Sequence, residues 1–306
     1  MNFTGVMPAM TTAFDASLNV DYPFVARHAQ WLIENGCSAI ICLGSLGEST
    51  TLRFDEKIAI LKTVVAALDG KAPVVAAISA LSTAESVALA QAAHAAGCAG
   101  LMILPPYVYK GDWRENKAHV AAILKATPLP GMLYNNPVAY GVDYLPAQIA
   151  ELAEEHANFA AVKESSTDVR RISAIRALLG ERLSLCVGVD DAIVEGIAVG
   201  AVGWVAGLVN VFPRESVDLF NLARAGRDDE AFALYRWFLP LLRMDTVPKF
   251  IQLIKQVHQE AGIGSARVRP PRLEVAGEEL AATRAAFAYA QANRPAIAAA
   301  SSPFTL

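Results

Sequence analysis

The lysine at position 163 closes an apolar run, Phe159-Ala-Ala-Val162. Burial of its stem in such a run disfavours the ammonium and frees a nucleophilic amine. An amine of that kind adds to a carbonyl or imine carbon and forms a Schiff base. The plainer reading is a lysine that reaches solvent from a strand end or pairs with Glu164. Tyr134 closes a second run, Gly131 to Leu133, and a phenol beside Lys163 can relay protons to and from an imine. Packing with a solvated hydroxyl is the alternative there. A third segment, Gly44-Ser45-Leu46-Gly47-Glu48, combines backbone that a ligand can approach with one hydroxyl. Its exposed N–H groups are suited to a carboxylate. A fourth, Gly188-Val-Asp190-Asp191, follows another apolar run, and Asp190 there reads as a helix cap.

These groups must be held by something, and the apolar pattern says what. Short runs recur at Gly5–Met10, Ala39–Leu43, Pro73–Ile78, Gly100–Leu104, Gly131–Tyr134, Phe159–Lys163, Ser184–Val189 and Gly203–Ala206. They lack polar alternation, as parallel strands buried on both faces do. Amphipathic stretches lie between them, Phe54–Leu68 and Ala84–Ala96 among them, the second with Ser82 or Thr83 as cap. Eight strands, each followed by a helix, are the count of a TIM barrel, an α/β fold that puts reactive groups at the C-terminal strand ends. A doubly wound sheet would show a glycine-rich loop after its first strand, and Met7–Asp15 has no glycine. The predicted organisation is a (β/α)8 barrel over residues 1–222 and a C-terminal helical extension over 223–295. The extension comprises helices at Asp228–Leu242, Val247–Ala261 and Gly277–Ala290, and a loose tail follows at 296–306.

Composition narrows the class. The net charge is −4 and no basic stripe occurs, which argues against a nucleic-acid partner. The segment Gly196–Pro213 is long and uncharged, but its four glycines read as a helix end, a turn and a buried strand, not a membrane span. No charged leader precedes an apolar stretch at the start. The four cysteines are dispersed and the five histidines fall on helices, so neither disulfides nor a metal are expected. A cytoplasmic protein is the expectation.

Together the motifs carry a resemblance. Gly44-Ser45-x-Gly47-Glu48, Tyr134-Asn135-x-Pro137, Val162-Lys163-Glu164 and Gly188-x-Asp190-Asp191 resemble the dihydrodipicolinate synthase and N-acetylneuraminate lyase superfamily. The likeness spans Gly5 to about Arg272. It implies class I aldolase-type chemistry, no cofactor and a homotetramer. It also implies that Lys163 is the Schiff-base lysine, Tyr134 the relay tyrosine and Ser45 the hydroxyl replacing the family's loop threonine. Gly44, Leu46, Gly47, Gly188 and Val205 are then expected around the substrate, with Tyr109 as a possible relay member from a neighbouring subunit.

The departures bear on substrate. Leu46 stands where the synthase has a second threonine. No arginine follows Pro137, where the synthase grips the carboxylate of aspartate semialdehyde, and Val108 replaces a relay tyrosine within Tyr107-Val108-Tyr109. A buried carboxylate without a cation costs several kcal/mol. The stretches Tyr134–Asp143, Val162–Arg171 and Gly203–Glu215 are similar to the 1-pyrroline-4-hydroxy-2-carboxylate deaminases of hydroxyproline catabolism. That resemblance implies ammonia release from a cyclic imino acid. Synthase activity, another pyruvate-type aldolase or dehydratase, and a non-catalytic oxo-acid binder are the alternatives.

Overall fold

The computed structural model describes residues 1–106 and 109–295. Tyr107, Val108 and the expected tail at 296–306 lie outside the described residues. Eight strands form: β1 (Gly5–Pro8), β2 (Ile40–Cys42), β3 (Val74–Ile78), β4 (Gly100–Ile103), β5 (Gly131–Asn135), β6 (Phe159–Glu164), β7 (Ser184–Val187) and β8 (Gly203–Ala206). Each sits where an apolar run occurs. Neighbours pair in parallel, in the order β1-β8-β7-β6-β5-β4-β3-β2. The ring closes where Met10 N–H donates to the Ile41 carbonyl at 2.9 Å, beside a parallel bridge from Ala9 to Ile41. The fold is a (β/α)8 barrel.

Helices wrap the strands because their apolar residues fall at three- and four-residue steps. In Phe54–Leu68 the buried positions include Ile60, Leu61, Val64 and Leu68. The helix Thr83–Ala95 starts at Ser82, whose hydroxyl accepts from Glu85 N–H at 3.2 Å. Such a cap is worth about 1 kcal/mol. Gly196–Pro213 contains a helix end at Ala198, then β8, then the helix starting at Pro213. Among the described residues no helix is long and apolar enough to cross a membrane.

After the barrel the chain continues into helices Asp228–Leu242, Phe250–Glu260 and Gly277–Ala292. The first two are joined by a tight turn at Arg243–Thr246. This extension is bolted to the mouth of the barrel. Lys255 donates to Glu48 at 2.7 Å and to the Thr12 carbonyl at 2.8 Å, and both charged side chains are buried. The Arg269 backbone N–H donates to the other oxygen of Glu48 at 3.0 Å. Its guanidinium grips Glu56 through two bonds, at 2.8 and 2.7 Å. Paired ions of this kind fix geometry more than they add stability. Here they hold the Gly44–Glu48 loop against the extension.

Candidate active site

Register decides who meets whom at the barrel mouth. Tyr134 on β5 pairs with Lys163 on β6, and Asn135 pairs with Glu164. Alternation along a strand sends Lys163 and Ser165 to one side and Glu164 to the other. Glu164 accordingly faces away from the cavity. It accepts from Asn135 Nδ2 at 3.0 Å and from Ser166 N–H at 2.7 Å, while burial raises its pKa. Lys163 is buried and its Nζ lies 4.0 Å from the centre of the Tyr134 ring. Both line an open cavity of about 470 Å³ at the C-terminal ends of the strands.

Two glycines make room there. A Cβ on Gly188 would lie 2.6 Å from Lys163 Cε and 2.0 Å from Ser165 Oγ. A Cβ on Gly207 would lie 2.5 Å from Asp245 Oδ1. Neither position tolerates a side chain without displacing a cavity residue.

The β5 side of the cavity is built from hydroxyl groups. Asn136 accepts from Ala139 N–H at 2.9 Å and so caps the short helix Pro137–Tyr140. That turn carries Tyr140 back toward the loop after β2, where its hydroxyl bonds Ser45 Oγ. The Tyr140 ring meets Tyr134 edge-on, with centroids 5.6 Å apart and planes at 84°. Asn136 Nδ2 donates to the Tyr134 hydroxyl at 3.1 Å.

The β7–β8 side carries carboxyl groups. Asp190 is fully buried and caps no helix of its own. Its Oδ1 accepts from Trp204 Nε1 at 3.0 Å and from Gly207 N–H at 3.1 Å, and its Oδ2 accepts from Leu208 N–H at 2.8 Å. It thus ties the end of β7 to the turn after β8. Burial outweighs these bonds and pushes its pKa up to about 6. Asp245, from the turn Arg243–Thr246, lines the cavity beside it.

The residues expected from sequence are mostly brought together. Lys163, Tyr134, Ser45, Gly44, Leu46, Gly188 and Val205 all line the cavity. Gly47 does not; its Cβ position faces the Met10 carbonyl and Leu43 N, and its own carbonyl accepts from Thr12 at 2.7 Å. Its role is to shape the loop. Tyr109 is exposed within this chain, and its hydroxyl donates to Glu115 at 2.9 Å, away from the cavity. Tyr140, Ser165, Asp245 and Arg272 line the cavity without having been singled out. Ser165 was within reach of sequence reasoning, being two residues from Lys163 on one strand face. Among the described residues no three His, Cys, Asp or Glu side chains gather as metal ligands.

Comparison with known proteins matches this geometry to a family. The Dihydrodipicolinate synthetase family matches residues 2–289. The chain belongs to that family. The family consists of class I aldolase-type lyases that use a lysine Schiff base, and this chain is an enzyme of that class. It is 29% identical over 280 residues to a 4-hydroxy-tetrahydrodipicolinate synthase of Desulforamulus reducens, covering 92% of this chain and 95% of the relative. A synthase of the same name from Geobacter metallireducens is 33% identical over 233 residues, covering 76% of this chain and 80% of the relative. Among solved structures, the 4-hydroxy-tetrahydrodipicolinate synthase of Methylacidiphilum fumariolicum superposes with a TM-score of 0.92 at 26% identity, covering 95% and 97% of the two chains. A prophage protein of the family from E. coli K12, solved in complex with pyruvate, gives 0.89 at 25% identity, covering 94% and 99%.

Proposed function

We propose that Lys163 forms an imine with C2 of a small 2-oxo acid, or of its cyclic imine, and that Tyr134 moves the protons this requires. The placement of the Lys163 amine 4.0 Å from the Tyr134 ring in an open cavity carries the reading. The pyruvate complex of the related prophage protein supports the ligand class. Ser45 and Tyr140, bonded to each other, add two hydroxyls beside Tyr134, and loop N–H groups after β2 would receive the substrate carboxylate. Incubation with pyruvate and borohydride should leave one reduced adduct, on Lys163. An adduct on another lysine would overturn the assignment.

For the substrate we propose 1-pyrroline-4-hydroxy-2-carboxylate. Val138, Ala139 and Tyr140 all line the cavity and none is charged, so the wall after Pro137 suits a compact ring better than a second anion. Lys163 would attack C2 and open the ring, and loss of the C3 proton would give an enamine. Water would then leave from C4, the double bond would migrate, and hydrolysis would yield 2-oxoglutarate semialdehyde and ammonia.

The relatives support a second reading, 4-hydroxy-tetrahydrodipicolinate synthase, better than they support the deaminase. Arg272 on the cavity wall also favours it as a cation for a second carboxylate, although Glu48 lies 3.9 Å from its guanidinium. The two readings separate in one assay. The deaminase reading expects ammonia from the cyclic imine and little condensation of pyruvate with aspartate semialdehyde. Efficient condensation without ammonia would leave the synthase reading standing. We further propose a homo-oligomer, which light scattering at micromolar concentration tests.

A further inference from the structure

Asp245 comes from the turn that joins two helices of the extension, yet it lines the cavity that holds Lys163. Its carboxyl occupies the space that a side chain at position 207 would fill, 2.5 Å from that Cβ position. The side chain is half-buried, with the cavity as its opening. The backbone N–H of Asp190 donates to it, and the Asp190 carboxyl is already committed to Trp204, Gly207 and Leu208. Asp245 is therefore the member of the pair left facing a ligand. A second observation points to a ligand on this side. Ser165 Oγ is buried and lines the same cavity with no hydrogen-bond partner.

We infer that Asp245 is a catalytic acid, placed on the flank of Lys163 opposite Tyr134, that gives its proton to the oxygen on C4 of the substrate. The role rests on the deaminase reading of the site. In the step, the nitrogen lone pair of the Lys163 enamine forms N=C2 and the C2=C3 pair becomes C3=C4. The C4–O bond breaks with its pair on oxygen. That oxygen takes the proton of Asp245 and leaves as water, and the carboxylate regains a proton from solvent in the cavity. Nothing is oxidised or reduced. Hydroxide is a poor leaving group, so a proton at this atom has a large effect on rate.

The surroundings favour a carboxyl that keeps its proton. Asp190 and Asp191 face Asp245 from the turn after β7, and Lys163 faces it from β6. Tyr235, from helix Asp228–Leu242, bonds the Asp191 carbonyl, and Arg243 lies 3.6 Å from Asp191. Burial and the neighbouring acids raise the Asp245 pKa well above the usual carboxylate range, while Lys163 opposes them. Two carboxyls so close do not both ionise readily, as in other paired-acid sites.

The test compares wild type with Asp245→Asn and Asp245→Ala on three readouts. With pyruvate, both variants should still trap the borohydride adduct on Lys163 and exchange methyl protons for deuterium within about threefold of wild type, since neither step involves C4. With 1-pyrroline-4-hydroxy-2-carboxylate, ammonia release should fall by about 10²–10⁴-fold. With the 4-chloro counterpart, whose chloride leaves without a proton, turnover should recover to near the wild-type rate. Ammonia release within twofold of wild type would overturn the role. So would loss of adduct, exchange and both turnovers together, which would mark a residue that only holds the cavity in shape. A wild type that forms the adduct but releases no ammonia would sink the deaminase reading and the C4 role with it. A wild type that forms no adduct would instead sink the Schiff-base assignment.

Discussion

The two flanks of Lys163 are built from different chemistry. On the β5 side, Tyr134, Tyr140 and Ser45 present hydroxyl groups, each of which can donate a hydrogen bond and accept one. On the β7–β8 side, the fully buried Asp190 and the half-buried Asp245 bring two carboxyls together where full ionisation is disfavoured. The two tyrosines of the first flank have short-range origins, since one tight, capped turn separates Tyr134 from Tyr140, and Ser45 joins them from the loop after β2. The second is assembled over long range, from the end of β7, the turn after β8 and the helical extension. A local turn can be altered with local consequences. The carboxyl flank depends on the docking of the extension, which Lys255, Glu48 and Arg269 secure.

The comparison makes its sharpest demand at Tyr134. Tyr134→Phe should fold normally and still form the pyruvate adduct, while kcat falls by about 10²–10⁴-fold. Steady-state kinetics beside borohydride trapping would read this, and a variant within twofold of wild type would remove the hydroxyl flank from the mechanism. Gly188→Ala touches the boundary between the flanks. Its methyl would meet Lys163 and Ser165, and misplacing the amine by about an ångström is expected to cost on the order of 10²-fold in kcat. An alanine variant with unchanged rate would show that Lys163 can shift without loss.

The carboxyl flank has a signature in stability. The Asp190 pKa is raised to about 6 in the folded protein against an ordinary value of 3.8. As pH rises, the unfolded chain releases this proton first. The contribution of Asp190 to stability should therefore be largest below the ordinary value and fall as pH climbs from about 4 to about 6. Subtracting the denaturation profile of Asp190→Asn from that of wild type isolates the effect. A difference that is flat across that window would contradict the assignment. The smallest effect is expected at Ser165. Because its buried hydroxyl has no partner, Ser165→Ala should leave stability unchanged or raise it by about 1 kcal/mol. KM should rise by roughly 2–10-fold if the hydroxyl meets substrate. A loss of stability in urea unfolding would show a structural role instead.

Much of the barrel could be read from the chain because its strands are buried on both faces. Runs such as Phe159–Lys163 and Gly203–Ala206 therefore stand out as uninterrupted apolar blocks. Their ends moved by a residue or two, as at Gly5–Pro8, beyond which Ala9 and Met10 stay tied to Ile41 by a single bridge and one hydrogen bond. The helix expected from Val247 begins at Phe250, because Pro248 cannot continue a helix from the turn before it. Lys163, Tyr134 and Ser45 were legible because they close strands or sit in a glycine loop. Tyr140 lay within a segment already noticed, but its direction depends on the Asn136 cap, which apolar periodicity does not reveal. Asp190 was misread as a helix cap because its partners, Trp204, Gly207 and Leu208, are distant in sequence. Asp245 had no signal at all. It sits in a polar turn between helices, and only the packing of the extension brings it to the cavity.

The proposed chemistry depends on the amine of Lys163, and one measurement reaches it directly. Wild type and Lys163→Ala would be incubated with pyruvate, reduced with borohydride, digested and examined by peptide mass spectrometry. The expected result is a single pyruvate-derived adduct on the peptide carrying Lys163 in wild type, with no adduct and no measurable turnover in the variant. An adduct at Lys110 or Lys249, or turnover that survives in Lys163→Ala, would contradict the site.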